Sequence, residues 1–155
     1  MIRKAKMEDV QVIYDLLSYY AEKDLLLGRS FSSLYDHLRD FQVYAEPRDE
    51  TEVVLGVCAL HICWYNLAEI CSLAVRRDSH SLGIGTGLVN ACLQEAQELG
   101  VHRVFTLTYT PEFFSKLQFK PIDKNYLPHK VWRDCINCHK FPDCKEEAML
   151  WGSEE

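Results

Sequence analysis

Apolar and polar positions follow two different periods along this chain. Val10, Ile13, Leu16, Leu17 and Tyr20 recur at helical spacing and predict a helix from about Glu8 to Tyr20. Glu8 and Asp9 favour its N-terminus through the helix dipole. Ahead of it, Ile2 to Ala5 reads as a short strand, and beyond it Ser30 is placed to cap a second short helix carrying Phe31, Leu34 and Leu38. The pattern then turns to strand. QVYAE, the polar turn PRDET and VVLGVCALHICW read as a hairpin, and LAEICSLAV is apolar enough to lie inside a sheet. That strand runs into LGIGTG and an amphipathic helix, LVNACLQEAQELG, ended by Gly100. VHRVFTLTY is the next strand. Thr110 follows as the cap of a helix with Pro111 at its first position, QFKPI supplies a short strand, and EEAMLW returns as the last one. Between them, Asp123 to Asp143 is rich in Cys, Pro, Lys and aromatics without a clean period.

Composition narrows the class. A chain of 155 residues that is 48% hydrophobic suits one compact domain, residues 1–155, and no repeat or linker-like tract divides it. The formal net charge of −6, with no basic block, lacks the phosphate attraction that nucleic-acid binders rely on. The first residues are charged and the apolar ones after them are spaced, so neither a signal peptide nor a membrane span is expected, and the cytoplasm is the expected compartment. Seven cysteines without an export signal point to free thiols or a metal site rather than a disulfide framework. Cys135, Cys138 and Cys144, with His129 and His139 nearby, supply enough soft ligands for a tetrahedral zinc site, although buried free cysteine also serves as a small apolar residue.

The segment that carries chemistry is the turn Leu82, Gly83, Ile84, Gly85, Thr86 and Gly87. A strand end that meets a glycine-rich turn and a helix start is an anion site, because free amides and the positive end of the helix dipole converge there. Glycines also let the backbone approach a pyrophosphate closely. The run lacks the Lys-Ser/Thr of a P-loop, and its G-x-G-x-G spacing is not the dinucleotide fingerprint, which disfavours nucleotide triphosphates and dinucleotides.

As a whole, LAVRRDSHSLGIGTGLV resembles the coenzyme A motif of the GNAT acetyltransferase superfamily: a strand ending in Ala-Val, a short loop, then Gln/Arg-x-x-Gly-x-Gly/Ala opening a helix. The resemblance implies an α+β GNAT fold, with a central mixed, mostly antiparallel twisted sheet of about six or seven strands flanked by helices. It implies acetyl-CoA as co-substrate, its pyrophosphate at Gly83 to Gly87 and its pantetheine arm along Cys71 to Val75, including Leu73, Ala74 and Val75. His80 occupies the Gln/Arg position and Ser81 a position where glycine is common, so backbone amides are expected to carry more of the phosphate contact than a side-chain cation.

A narrower resemblance covers LLLGRSFSSLYDHL, AEICSLAV, VFTLTYTPEFFSKLQF and LPHKVWRDCINC, which are similar to the short, kinase-less N-acetylglutamate synthases. It implies acetylation of the α-amino group of glutamate or glutamine, at the first step of arginine biosynthesis, by direct transfer in a ternary complex. Glu69 is a carboxylate in an otherwise apolar strand, hence an edge residue or a base, and the synthases carry Glu at the matching position. Many GNAT enzymes place a Tyr proton donor in the helix after the fifth strand. Here that stretch reads EFF, with Phe114 where the Tyr would fall, so Thr108 and Tyr109 are the candidate donors. Arg29 matches an Arg that holds the substrate carboxylate in the synthases, and its planar fork suits that contact. Lys130 and Arg133 would add positive charge for an acidic amino acid. No nucleic-acid or membrane partner is expected, and the sequence leaves the oligomeric state open, a homodimer being one of the alternatives. The same residues also admit a GNAT enzyme acting on a polyamine or a protein N-terminus, or an idle domain that binds coenzyme A as a sensor.

Overall fold

The computed structural model describes residues 1–127 and 146–152. His129, Lys130, Arg133, Cys135, Cys138, His139 and Cys144 lie outside the described residues.

Among the described residues, seven strands form one mixed sheet: β1 (Ile2–Lys4), β2 (Phe41–Arg48), β3 (Thr51–Trp64), β4 (Leu67–Val75), β5 (Arg103–Thr108), β6 (Lys120–Pro121) and β7 (Glu147–Gly152), in the order β1-β2-β3-β4-β5-β7-β6. The pairs β1–β2, β2–β3, β5–β7 and β6–β7 are antiparallel, whereas β4–β5 is parallel. Among the described residues, four helices flank the sheet: α1 (Val10–Ala21), α2 (Phe31–Asp36), α3 (Ile84–Glu98) and α4 (Pro111–Ser115). This is the α+β architecture expected from the sequence. The chain divides into two compact units, one of Met1–His61 with Ile70–Glu95, the other of Ile62–Glu69 with the residues from Ala96 onward.

In the first unit the apolar stripe of α1 does what its spacing predicts. Val10, Ile13 and Leu17 are buried with Leu34 of α2 and with Phe41 and Val43 of β2 in one cluster. Each fully buried side chain of this kind contributes about 1.5–3 kcal/mol. α3 lies close on β3: a Cβ at Gly56 would stand 3.0 Å from Ile84 Cγ2 and 3.1 Å from Leu88 Cδ1. Asp9, 4% exposed, accepts from both terminal nitrogens of Arg3 (2.8 and 3.1 Å) and from the Lys6 N–H (2.7 Å), which ties the start of α1 to β1. In the second unit Cys63, Leu67, Phe105, Leu127, Ala148 and Leu150 share a smaller core.

Several boundaries differ from those the sequence predicts. Met7–Asp9 is a 3₁₀ turn, so the α-helix proper begins at Val10. Ser30 does cap α2, its Oγ accepting from Ser33 N at 3.1 Å, but the helix ends at Asp36 and Leu38 falls in the 3₁₀ turn Leu38–Asp40. Most of PRDET is absorbed into β2 and β3, leaving a two-residue connection in which Asp49 takes φ 55°, the left-handed conformation that tight hairpin turns demand. α3 starts at Ile84, inside the glycine run rather than after it. Thr110 stands at the N-cap of α4, yet its hydroxyl meets Thr108 instead of capping.

Candidate active site

In the first unit, β4 ends at Val75, a 3₁₀ turn spans Arg77–Ser79, and Ser81 and Gly83 both take positive φ, 73° and 78°, before α3 begins. No heavy atom lies within 4 Å of where a Gly83 Cβ would stand, so its backbone conformation, not crowding, calls for glycine there. The Gly87 N–H donates to Gly83 O at 3.0 Å and closes the first helical turn. The amides of residues 84–86 precede that bond, and first-turn amides have no acceptor within the helix. With Ser81, Leu82 and Gly83 exposed and Thr86 half-buried beside them, the donor set suits a phosphate. Leu73, Ala74 and Val75 are the last residues of β4 leading into this turn.

His80 turns back toward its own strand. Its Nε2 lies 3.0 Å from Val75 O and 2.8 Å from the Tyr20 hydroxyl, which itself donates to Val75 O. A carbonyl only accepts, so the proton of the neutral ring sits on Nε2. The two rings stack at 6.3 Å. Burial raises the Tyr20 phenol pKa, and the neighbouring Tyr19 adds to the effect, so Tyr20 keeps its proton. The His80 ring is therefore engaged with its own strand and with Tyr20.

Arg29, just ahead of α2, is half-buried and closely held. Its Nε donates to Ser72 Oγ at 3.0 Å, one terminal nitrogen reaches Ser33 Oγ and the other Cys71 Sγ, both at 3.4 Å, and its carbon lies 5.1 Å from the Phe41 ring centre. Ser72 stands inside β4 with φ 54°, a left-handed conformation that costs a non-glycine residue about 1 kcal/mol. Strand interiors seldom hold such a residue without a reason of this kind.

The second unit holds the remaining candidates. Glu69 is half-buried on β4, opposite Phe105 of β5 in the two-pair parallel ladder. Thr108 is buried at the end of β5, its Oγ1 accepting from the Thr110 N–H at 2.9 Å and lying 3.1 Å from Thr110 Oγ1. Tyr109 is half-buried beside it. Phe114 is 3% exposed, in ring contact with Phe113 and Phe119 at 5.0 and 5.2 Å, so the position where the resemblance would put a helix Tyr is an aromatic cluster here. Among the described residues no group of three or more His, Cys, Asp or Glu could hold a metal, and the cysteines of the zinc expectation lie outside them.

Sequence reasoning singled out Arg29, and the structure brings it together with Ser33, Cys71 and Ser72, which that reasoning missed as partners. It also missed Tyr20, placed on α1 as core. The one available signal was a pair of small polar residues, Cys71 and Ser72, interrupting an apolar strand.

The sequence matches the model of the acetyltransferase (GNAT) family over residues 10–117. The chain belongs to this family. The GNAT chain is therefore an N-acetyltransferase, and it is 39% identical, over 96% of its length and 94% of the relative's, to an uncharacterized N-acetyltransferase of Chlorobaculum tepidum. It is 38% identical to an amino-acid acetyltransferase of Mycobacterium tuberculosis, covering 85% of this chain and 75% of that one. Among solved structures, a Mycobacterium tuberculosis protein in complex with CoA shares 31% identity and a TM-score of 0.82 over 99% of both chains. An N-acetylglutamate synthase of Neisseria gonorrhoeae, complexed with coenzyme A and N-acetyl-glutamate, has the same fold at a TM-score of 0.86 and 24% identity; the GNAT chain spans 34% of it. No helix of the described residues is long and apolar enough to cross a membrane.

Proposed function

We propose that this GNAT enzyme moves the acetyl group of acetyl-CoA to the α-amino group of L-glutamate or L-glutamine by direct transfer, as the first step of arginine biosynthesis in the cytoplasm. The observation that carries the reading is Arg29: a half-buried guanidinium, oriented by Ser72 and backed by the Phe41 ring, that suits a carboxylate of a small amino acid. The amino-acid acetyltransferase among its relatives and the CoA-bound structures of its fold support the same reading.

In this mechanism the amides of the turn from Leu82 to Gly87 bind the pyrophosphate of acetyl-CoA, and the backbone of Leu73, Ala74 and Val75 holds the pantetheine arm. Arg29 anchors the amino acid. Glu69 takes the ammonium proton, directly or through water, and so frees the nitrogen lone pair to attack the thioester carbonyl. As the C–N bond forms, the C–S bond breaks, the departing thiolate takes a proton from Tyr109, and the second proton that the nitrogen sheds on becoming an amide passes through water to the tyrosinate. Thr108, whose hydroxyl is engaged in the turn after β5, is the less suited donor.

Thiol release with glutamate, glutamine, aspartate, lysine and a polyamine tests the substrate. Turnover is expected with glutamate or glutamine; turnover with the polyamine alone would overturn the reading. Arg29→Ala should raise the KM for the amino acid more than about tenfold, since a lost buried charge contact costs about 2–5 kcal/mol, and should leave the KM for acetyl-CoA unchanged. Arg29→Lys should recover little, because an ammonium does not reproduce the planar fork. Glu69→Gln should slow kcat by about 100-fold or more and remove the acidic limb of the pH profile. Wild-type rates with the same profile would show that Glu69 is structural.

A further inference from the structure

We propose that Ser72 is a positioning residue that selects which edge of the Arg29 guanidinium meets the substrate carboxylate, a role that rests on the Arg29 reading above. A guanidinium offers five N–H donors and two forks to a carboxylate: the side edge of Nε with one terminal nitrogen, and the end edge of both terminal nitrogens. Ser72 Oγ occupies Nε at 3.0 Å and thereby closes the side edge. Ser33 Oγ and Cys71 Sγ each take one terminal N–H, both at 3.4 Å. Counting donors then leaves one N–H on each terminal nitrogen, and the end edge is the fork that the Ser72 bond does not occupy. The two contacts at 3.4 Å are long enough to yield as the carboxylate arrives, whereas the Ser72 bond persists and keeps the plane from turning.

The backbone supports the same assignment. Arg29 lies ahead of α2 and Ser72 within β4, and the left-handed φ of 54° at Ser72 interrupts the regular alternation of side chains along that strand. Glycine would hold this conformation with less strain, so a serine there is explained by its hydroxyl rather than by the turn of the chain.

Steady-state kinetics on the intact protein test the idea. Ser72→Ala should raise the KM for the amino acid roughly three- to tenfold, the effect of one lost hydrogen bond, and raise the KM for acetyl-CoA by less than that. Ser72→Gly, which relieves the strained φ, should melt no lower than wild type and show the same rise in KM. Ser72→Asn tolerates positive φ and restores an acceptor, so it should recover part of the loss. Ser33→Ala should matter less than Ser72→Ala, as its bond is longer.

The deciding measurement is the pair. In an Arg29→Ala background, Ser72→Ala should have no further effect on the amino-acid KM. The proposal is overturned if Ser72→Ala acts equally in both backgrounds, or if Ser72→Gly changes the KM for acetyl-CoA and not that for the amino acid. An Arg29→Ala enzyme with a normal amino-acid KM would instead sink the anchor reading itself, and this inference with it.

Discussion

Asp9 shows how a single buried carboxylate is made to favour the fold. Burial by itself would raise its pKa, but the bonds from Arg3 and from the Lys6 N–H outweigh burial and hold it below the usual carboxylate range. A carboxyl whose folded pKa lies below its unfolded value of about 3.9 gives stability that is complete above about pH 4 and is lost as pH falls through the folded value. Asp9→Asn should therefore cost about 1–3 kcal/mol at pH 7 and flatten the loss of stability in acid, as read by urea melts at pH 7 and pH 3. At this scale the sequence was partly legible. Arg29 stood out because a resemblance marked it, while Ser72 carried no mark: a hydroxyl in an apolar strand has meaning only once a long-range partner, Arg29, is found opposite it.

Between elements, close approach decides what glycine does, and two glycines near the same helix behave oppositely. Gly56 lies beneath α3, so Gly56→Val would drive Cβ and two further carbons into Ile84 and Leu88, an overpacking worth about 1–3 kcal/mol and a lower Tm. Gly83 has open space around it but φ 78°, so Gly83→Val should disturb the turn locally and raise the KM for acetyl-CoA with a smaller change in Tm. A Gly56→Val protein with an unchanged Tm would contradict the tight packing of α3. The same packing explains a misread boundary. Glycine has low intrinsic helix propensity, so the run from Gly83 to Gly87 read as a turn, and the burial of Ile84, 4% exposed, brings the helix start forward into it. The short hairpin connection was missed for a related reason: polar residues at exposed strand ends look like turn residues until their cross-strand partners are known, as with Pro47 opposite Glu52.

For the molecule as a whole, the number and type of strands could be read from the chain, because alternation and apolar runs are local signals. Their order was not legible there, and the family resemblance supplied only a mixed, mostly antiparallel sheet. β7 inserts between β5 and β6, a pairing of distant segments that periodicity does not encode. β3 and β4 each contribute residues to both compact units, so neither unit loses its structure without stripping strands from the other. Calorimetry should accordingly record one cooperative transition, with equal calorimetric and van't Hoff enthalpies; two resolved peaks would show units that melt independently. The interleaving also bears on how the gene product could be divided. The tip of the β3–β4 hairpin, where Tyr65 is 88% exposed, is an inviting place to cut, yet a break after it leaves the first piece without residues 70–95 and the second without residues 62–65. Neither piece of a chain cut there contains a unit entire, so the halves of such a split version would have to find each other before either core could close.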